Sequence, residues 1–380
     1  MYSHFKEVQL MLAGLKSYGV ANVVMAPGGS DIPLIHSLEE DEFFSCYSVV
    51  DERSLVYFAL GLAQEMREPV ACVCTSGTAV SNFLPGITEA HFQDVPLVAI
   101  TADKNPRYLG QMETQKINQV GIFDPWVKCS VSLPIIQSDG DFRMSKRLIN
   151  EAMFELCHRG CGPVHINIPI VGDDSLFNAK TLPEFVPYSM ENAESLIRGS
   201  WKKRGDHLVG KNVLILIGQN VSLTPADRDN IEAFVLNYNC AVATESLSNV
   251  QVVNSVNTYL VAEVKRGSLE KELLPDVLIT IGNNYASGPM KAFLRSNGEK
   301  IEHWQISESG IPRNTYDALT AIYECSPSFF FDNFPLIHDG NSERYYSQWR
   351  EIEESIALPD PPFSSLYVGR RLAETIPSGA

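Results

Sequence analysis

Four short apolar runs in the first part of the chain end in small or polar residues: ANVVMAPGG (21–29), FFSCYSVV (43–50), PVACVCTSGT (69–78) and VPLVAITAD (95–103). Helical repeats lie between them at 52–67 and 78–91, and a third at about 142–158 leads into PVHINIPI (163–170). Continuous apolar strands joined by helices predict a parallel sheet covered on both faces, with ligand sites at the strand ends. The rhythm breaks over 171–210, where prolines, Asp173-Asp174 and the run Trp201-Lys202-Lys203-Arg204-Gly205-Asp206 fall together. It resumes with NVLILIGQN (212–220), a helix near 224–238, CAVATES (240–246), DVLITIGNN (276–284), a helix near 287–296 and IEHWQIS (301–307).

The expected fold class is therefore α/β, with two parallel-sheet, three-layer domains. The first occupies 1–175, a linker follows over 176–210, and a Rossmann-like domain occupies 211–340. Residues 341–380 read as a helical segment with Trp349 and a PDPP turn (359–362), breaking off inside an α/β rhythm. That break leads us to expect a fragment of a longer protein. LILIGQN and LITIGNN suit strand-then-glycine turns, but neither supplies G-x-G-x-x-G, which weighs against a nucleotide-dependent dehydrogenase.

Composition changes this picture little and narrows the partners. With 46 acidic against 30 basic residues the formal charge is -16, which argues against nucleic-acid or anionic-membrane partners. No apolar run approaches the roughly 18 residues of a membrane span, and Glu7 interrupts an N-terminus that reads as an amphipathic helix. The eight cysteines lack metal-type spacing; Cys72 and Cys74 alternate on a strand, and Cys157 and Cys161 read as four apart on a helix. Reduced thiols in a cytoplasmic protein are expected.

Candidate chemistry starts at Asp51-Glu52-Arg53, three charges ahead of the uncharged run SLVYFALGLA (54–63). Asp51 suits an N-cap and acids suit a helix N-terminus. The helix that follows is apolar nearly all round: Leu55, Phe58, Ala59 and Leu62 make one stripe, and Val56, Tyr57, Leu60 and Ala63 fill much of the rest. Such a helix is expected to be buried on more than one side, either at a subunit seam or in the middle of a monomer.

The phrases APGGSD (26–31), VVDERS (49–54), TSGTAVSNFLPGITEA (75–90), TADKNP (101–106), GQMETQKINQVGIFDPWVKCSVSLP (110–134) and GPVHINIP (162–169) are each weak signals. In this order they resemble the N-terminal, pyrimidine-binding domain of thiamine-diphosphate enzymes. Within that superfamily they are most similar to the 2-succinyl-5-enolpyruvyl-6-hydroxy-3-cyclohexene-1-carboxylate synthases of menaquinone biosynthesis. The resemblance is strongest over 20–135, and 212–307 fits that family's central domain.

The resemblance implies thiamine diphosphate and Mg²⁺ as cofactors, a small 2-oxo acid substrate and a homodimer or higher homo-oligomer with the 52–67 helix at its seam. It places the catalytic glutamate at Glu52, where a desolvated carboxyl exchanges a proton with N1′ of the aminopyrimidine. Pro27 and Gly28 would shape the strand exit over the pyrimidine, with Thr75, Gly77, Thr78 and Asn82 facing it. Gln115 would lie over the reaction centre, and Ser30, Lys104 and Gln115 on the substrate side. The Gly-Asp-Gly phrase and later Asn that hold Mg²⁺ and diphosphate are missing from this sequence, so the metal ligands are expected outside it and the chain alone is expected to be inactive.

Departures from the family fall on the substrate phrases. Gly29, Ser30 and Asp31 stand where the family has Ser-Arg-Ser, so a guanidinium is lost and a negative charge stands beside its place. Lys104 replaces an Arg, and Thr114 an Asn. The expected function is a 2-oxo acid decarboxylase or carboligase, a transferase or lyase, with an altered substrate. The alternative is a pyrimidine-binding subunit without chemistry of its own until a separate diphosphate-binding chain joins it.

Overall fold

A computed structural model describes residues 1–192, 200–219, 223–248, 250–265, 269, 271–336, 341–357 and 360–376. The chain divides into two compact units, Met1–Met190 and Glu191–Ala380. In the first, the described elements run β1 (Tyr2–Ser3), α1 (Lys6–Ser17), β2 (Asn22–Ala26), α2 (Ile32–Glu39), β3 (Ser45–Ser48), α3 (Glu52–Met66), β4 (Val70–Cys74), α4 (Thr78–Asn82), α5 (Leu84–Phe92), β5 (Leu97–Asp103), β6 (Ser130–Ser132), α6 (Asp139–Glu155), β7 (Val164–Pro169) and β8 (Phe177–Ala179).

Six strands form a parallel sheet in the order β3-β2-β4-β5-β7-β6. Its central strands are mostly apolar on both sides because each face is covered, with Asn22 on β2, Thr101 and Asp103 on β5 and His165 and Asn167 on β7 as polar exceptions. Val23, Met25, Ala71, Val73, Val98 and Ile100 join the core under α1, α2 and α6. Val24, Ala26, Val70, Cys72, Cys74, Leu97 and Ala99 face the core formed with α3 and α5. This alternation is the period of two that a strand imposes on its side chains.

The helix expected over 78–91 is two helices, α4 and α5, meeting at Phe83. Pro85, with no N–H to give, lies in the first turn of α5, where its missing donor costs nothing. The third helix runs over Asp139–Glu155, opened by a reciprocal Ser138–Asp141 capping box, and stops before Cys157 and Cys161. These two cysteines therefore do not share a helix; their sulfurs lie 2.9 Å apart. Burial, ahead of the neighbouring thiol, pushes Cys157 up to about 12, so it is a weak nucleophile.

Within the stretch 176–210, expected as a linker, the described residues 176–192 and 200–210 include regular structure. Strand β8 pairs antiparallel with β1. β9 (Ser189–Asn192) adds to the edge of the second sheet, and α7 (Ser200–Leu208) buries Trp201 in the second core.

The second unit continues with β10 (Val213–Ile217), α8 (Pro225–Tyr238), β11 (Ala241–Thr244), β12 (Ser255–Asn257), α9 (Thr258–Val264), β13 (Val277–Ile281), α10 (Gly288–Ser296), β14 (Glu302–Ile306), β15 (Leu319–Glu324), α11 (Pro327–Asn333), α12 (Arg344–Ser355) and α13 (Ser365–Thr375). The sheet order is β12-β11-β10-β13-β14-β15-β9, so the chain reverses direction across the sheet between β10 and β13. The two glycine phrases meet there. A Cβ on Gly218 would lie 2.2 Å from the Asn283 carbonyl oxygen, the Gln219 N–H donates to Asn284 O, and the Asn283 N–H donates to Gln219 O. These glycine phrases tie two strand exits together. Helix α12 buries Tyr345 and Trp349 in the second unit's own core, so it is part of that unit.

Candidate active site

The strand order sets β3, β2, β4 and β5 side by side, so their exits line one edge of the first sheet. Those exits are residues 49–52, 27–31, 75–78 and the long segment after Asp103. Gly28 packs against the exit of β4 so closely that a Cβ there would lie 2.4 Å from the Thr75 Cβ. The Ser30 N–H donates to Thr75 Oγ1 at 3.1 Å, and the Ser30 and Ser76 hydroxyls meet at 2.9 Å. Ser30, expected on the substrate side, is thus spent on joining two strand exits.

Gly77 has φ +83° and ψ -138°, backbone open in practice only to glycine. A Cβ there would press on the Gln115 Cα, Cβ and carbonyl oxygen, all at 3.1 Å. The Gly77 N–H donates to Gln119 Oε1 at 3.0 Å. Residues 115–119 are thereby brought over the β4 exit, and Gln115 itself is exposed, with φ +54°. Thr78 and Asn82 stand one turn apart on the exposed side of α4, and Pro27 is exposed at the β2 exit.

Glu52 is the first residue of α3. Its neighbour Asp51 caps the helix, accepting from the Ser54 N–H at 2.8 Å, which holds the Asp51 carboxyl below its usual range. Glu52 is half-buried, and among the described residues its carboxylate has no hydrogen-bond or ion-pair partner. The three adjacent charges therefore divide into a capping acid, an unengaged acid and an exposed arginine. Helix α3 buries Leu55, Val56, Ala59, Leu60 and Ala63 within the unit, while Tyr57 and Phe58 remain 45% and 46% exposed.

Lys104 donates from Nζ to the Thr114 carbonyl oxygen at 2.6 Å and to Glu113 at 3.3 Å. It is engaged by its own loop. Beneath it lies a buried polar network that the sequence reading missed. Lys116 pairs with Asp103 at 2.6 Å, with side chains 3% and 4% exposed, and also donates to Lys104 O. Asn167 donates to Asp103 Oδ2 and to Ser132 Oγ, and accepts from Thr101 Oγ1 and Gln119 Nε2. His165 bridges Thr101 and Ser130; burial pulls it down to about 3, so it is neutral at working pH. The available signal was the polar side chain at alternate positions of TAD and VHINIP, within otherwise apolar strands.

Asp31 differs most from its reading as an open negative charge. It is fully buried, and its Oδ1 accepts from the Gly28 N–H at 2.8 Å. Burial raises its carboxyl to about 7 against the Gly28 hydrogen bond, and the charge of Glu52 raises it further.

At Gly28 and Gly77 the space of a Cβ is taken by Thr75 and Gln115, so these glycines let the β2 exit, the β4 exit and the segment bearing Gln115 pack closely, with the half-buried Glu52 at the neighbouring β3 exit. Among the described residues no group of three or more His, Cys, Asp or Glu is placed to hold a metal ion. No helix among the described residues is long and apolar enough to cross a membrane.

Residues 6–122 match the family described as thiamine pyrophosphate enzyme, N-terminal TPP binding domain. Together with the parallel α/β fold, this defines the class as that of thiamine-pyrophosphate enzymes. The chain is 33% identical over 380 residues to the 2-succinyl-5-enolpyruvyl-6-hydroxy-3-cyclohexene-1-carboxylate synthase of Phocaeicola vulgatus, covering 99% of this chain and 68% of the relative. It is 34% identical over 384 residues to the Bacteroides fragilis synthase, covering 100% and 68%, and 32% identical over 382 residues to that of Bacteroides thetaiotaomicron, covering 99% and 68%. The chain belongs to this synthase family.

Proposed function

We propose that this chain is the pyrimidine-binding and central portion of a cytoplasmic thiamine-diphosphate-dependent enzyme that decarboxylates a 2-oxo acid and joins the resulting unit to an acceptor. The observation that carries the reading is Glu52: a half-buried acid at the start of α3, at the β3 exit next to the β2 exit, that has no hydrogen-bond or ion-pair partner among the described residues. Bound thiamine diphosphate supplies the carbon nucleophile for this chemistry. Glu52 holds and returns a proton at N1′ of the aminopyrimidine. Pro27, Gly28, Thr75 and Gly77 form the surface against the ring, with Thr78, Asn82 and Gln115 as polar groups at its margin. Mg²⁺ and the diphosphate are held by residues outside those described.

The acceptor is proposed to differ from isochorismate, because the guanidinium of the family's first phrase is absent and Ser30 and Lys104 are both engaged within the protein. The test is turnover by the full-length protein with thiamine diphosphate and Mg²⁺ across a panel of 2-oxo acids. Product from some donor, with poor use of 2-oxoglutarate plus isochorismate, is the expected result. Efficient use of that pair overturns the altered-substrate reading. A second reading, a subunit that waits for a separate diphosphate-binding chain, draws on the lack of a metal-holding cluster among the described residues. It predicts activity only on adding the second chain.

A homodimer is proposed through the outer face of α3. Tyr57 and Phe58 expose large rings there, with Leu84 on α5 also exposed, and a C2 seam lets one such patch cover its own copy. Phe58→Glu should shift the sedimentation coefficient from dimer to monomer. A wild-type protein that already sediments as a monomer contradicts the proposal.

A further inference from the structure

We propose that Asp31 and Glu52 form a carboxyl pair in which the buried Asp31 holds a proton on its unpartnered oxygen, with Asp31 as the positioning residue that keeps this proton beside Glu52. The proposal deepens the cofactor reading above and rests on it for its purpose, although the pair itself is defined by this chain alone.

The geometry begins with a cap that is not made. Asp31 occupies the N-cap position of α2, where an aspartate ordinarily accepts from the first-turn N–H groups, yet its side chain makes no such bond. It turns back to the Gly28 N–H through Oδ1. Its Oδ2 is sealed from solvent and has no hydrogen-bond partner. No cation among the described residues pairs with it. An ionised carboxylate in that position would be a buried charge with one oxygen unsatisfied, which is unfavourable; a proton on Oδ2 removes the charge.

The neighbourhood adds more negative character. The β3 exit carries Glu52 next to the β2 exit that carries Asp31, because β3 and β2 are adjacent in the sheet. The Glu52 charge acts on Asp31 to raise its pKa. On the other side, at the end of β4, lies the Cys74 thiol, pushed up by burial and then by Asp31 and Glu52 together. It stays protonated and offers no compensating charge. Among the described residues Glu52 and Cys74 are the titratable groups whose charges bear on Asp31, and like charges at adjoining strand exits resist simultaneous ionisation. With its carboxyl raised to about 7, Asp31 retains a proton beside the carboxylate proposed to serve a bound ring.

The experiment is a carboxyl ¹³C NMR titration of the full-length protein and of its Glu52→Gln and Asp31→Asn variants, without cofactor. The expected wild-type result is an Asp31 resonance titrating near pH 7, identified by its loss in Asp31→Asn. In Glu52→Gln that midpoint should fall by half a unit or more. An Asp31 midpoint in the ordinary carboxylate range, or one unmoved by Glu52→Gln, overturns the pair. If Asp31→Asn does not fold, Glu52→Gln still decides, since Glu52 has no hydrogen bond or ion pair to lose among the described residues. Calorimetric binding of thiamine diphosphate across the same pH range gives a second readout. Affinity should change through the Asp31 midpoint in wild type and stay flat there in Asp31→Asn; the same pH dependence in both contradicts the positioning role. A coupled titration without thiamine diphosphate binding at any pH supports the pair and overturns the cofactor reading alone.

Discussion

Lys116→Met is expected to destabilise the first unit by about 3–5 kcal/mol, because it removes one partner from a buried ion pair and leaves the other charged. Methionine keeps much of the length and apolar volume of lysine, so the loss comes from charge more than from a cavity. Asp103 would keep the Lys104 N–H and the Asn167 amide as donors, which soften the loss without supplying a countercharge. Adding Asp103→Asn should recover part of the stability, since neither charge is then stranded. Urea unfolding monitored by circular dichroism measures both; a loss below about 1 kcal/mol for Lys116→Met contradicts the account of this pair. The consequence for function follows from the loop. Lys116 also ties down Lys104 O, and three residues further on Gln119 anchors Gly77. Freed from Asp103, the segment bearing Gln115 should leave the β4 exit, so thiamine diphosphate binding is expected to weaken with stability.

The parallel sheets were legible because their central strands are long and apolar on both faces: VVMA, VACVC and LVAITAD leave no other economical reading. Short elements were not legible. Strands β6 and β12 have three residues each, too few to show a period. The 176–210 stretch was read as a linker because its charges are visible in sequence, while the burial of Trp201 is settled by residues far along the chain. The α4–α5 break was available in Pro85, though a proline in a first helical turn and one in a helix interior look alike until the helix start is known.

The same division holds at the site. The order of the glycine and acidic phrases pointed to Glu52, Gly28 and Gly77 as candidates, and a sequence pattern can locate the strand exits that carry them. Lys116 was silent because its partner Asp103 lies across a loop without any period. Ser30 and Lys104 were read by residue type, as groups to hold an anion, and type does not reveal that each is already engaged. Asp31 was read as a charge, and only the packing around it raises its pKa.

The central claim is that Glu52 serves as a proton-exchanging group and has no structural duty that its replacement would disturb. Glutamine at this position keeps the side chain's size and its place at the start of α3, and it breaks no hydrogen bond or ion pair among the described residues. Stability should therefore change little. Removing a positioned acid–base group costs about 10²- to 10⁴-fold in the step it serves. Asp51, exposed and already capping the helix, is not placed to take over. The most direct measurement is hydrogen–deuterium exchange at C2 of thiamine diphosphate bound to the full-length protein, followed by quenched-flow NMR in wild type and Glu52→Gln. The account predicts unchanged circular dichroism and thermal midpoint, with exchange slowed by about two to four orders of magnitude in the variant. Exchange at the wild-type rate in folded, cofactor-loaded Glu52→Gln would contradict it.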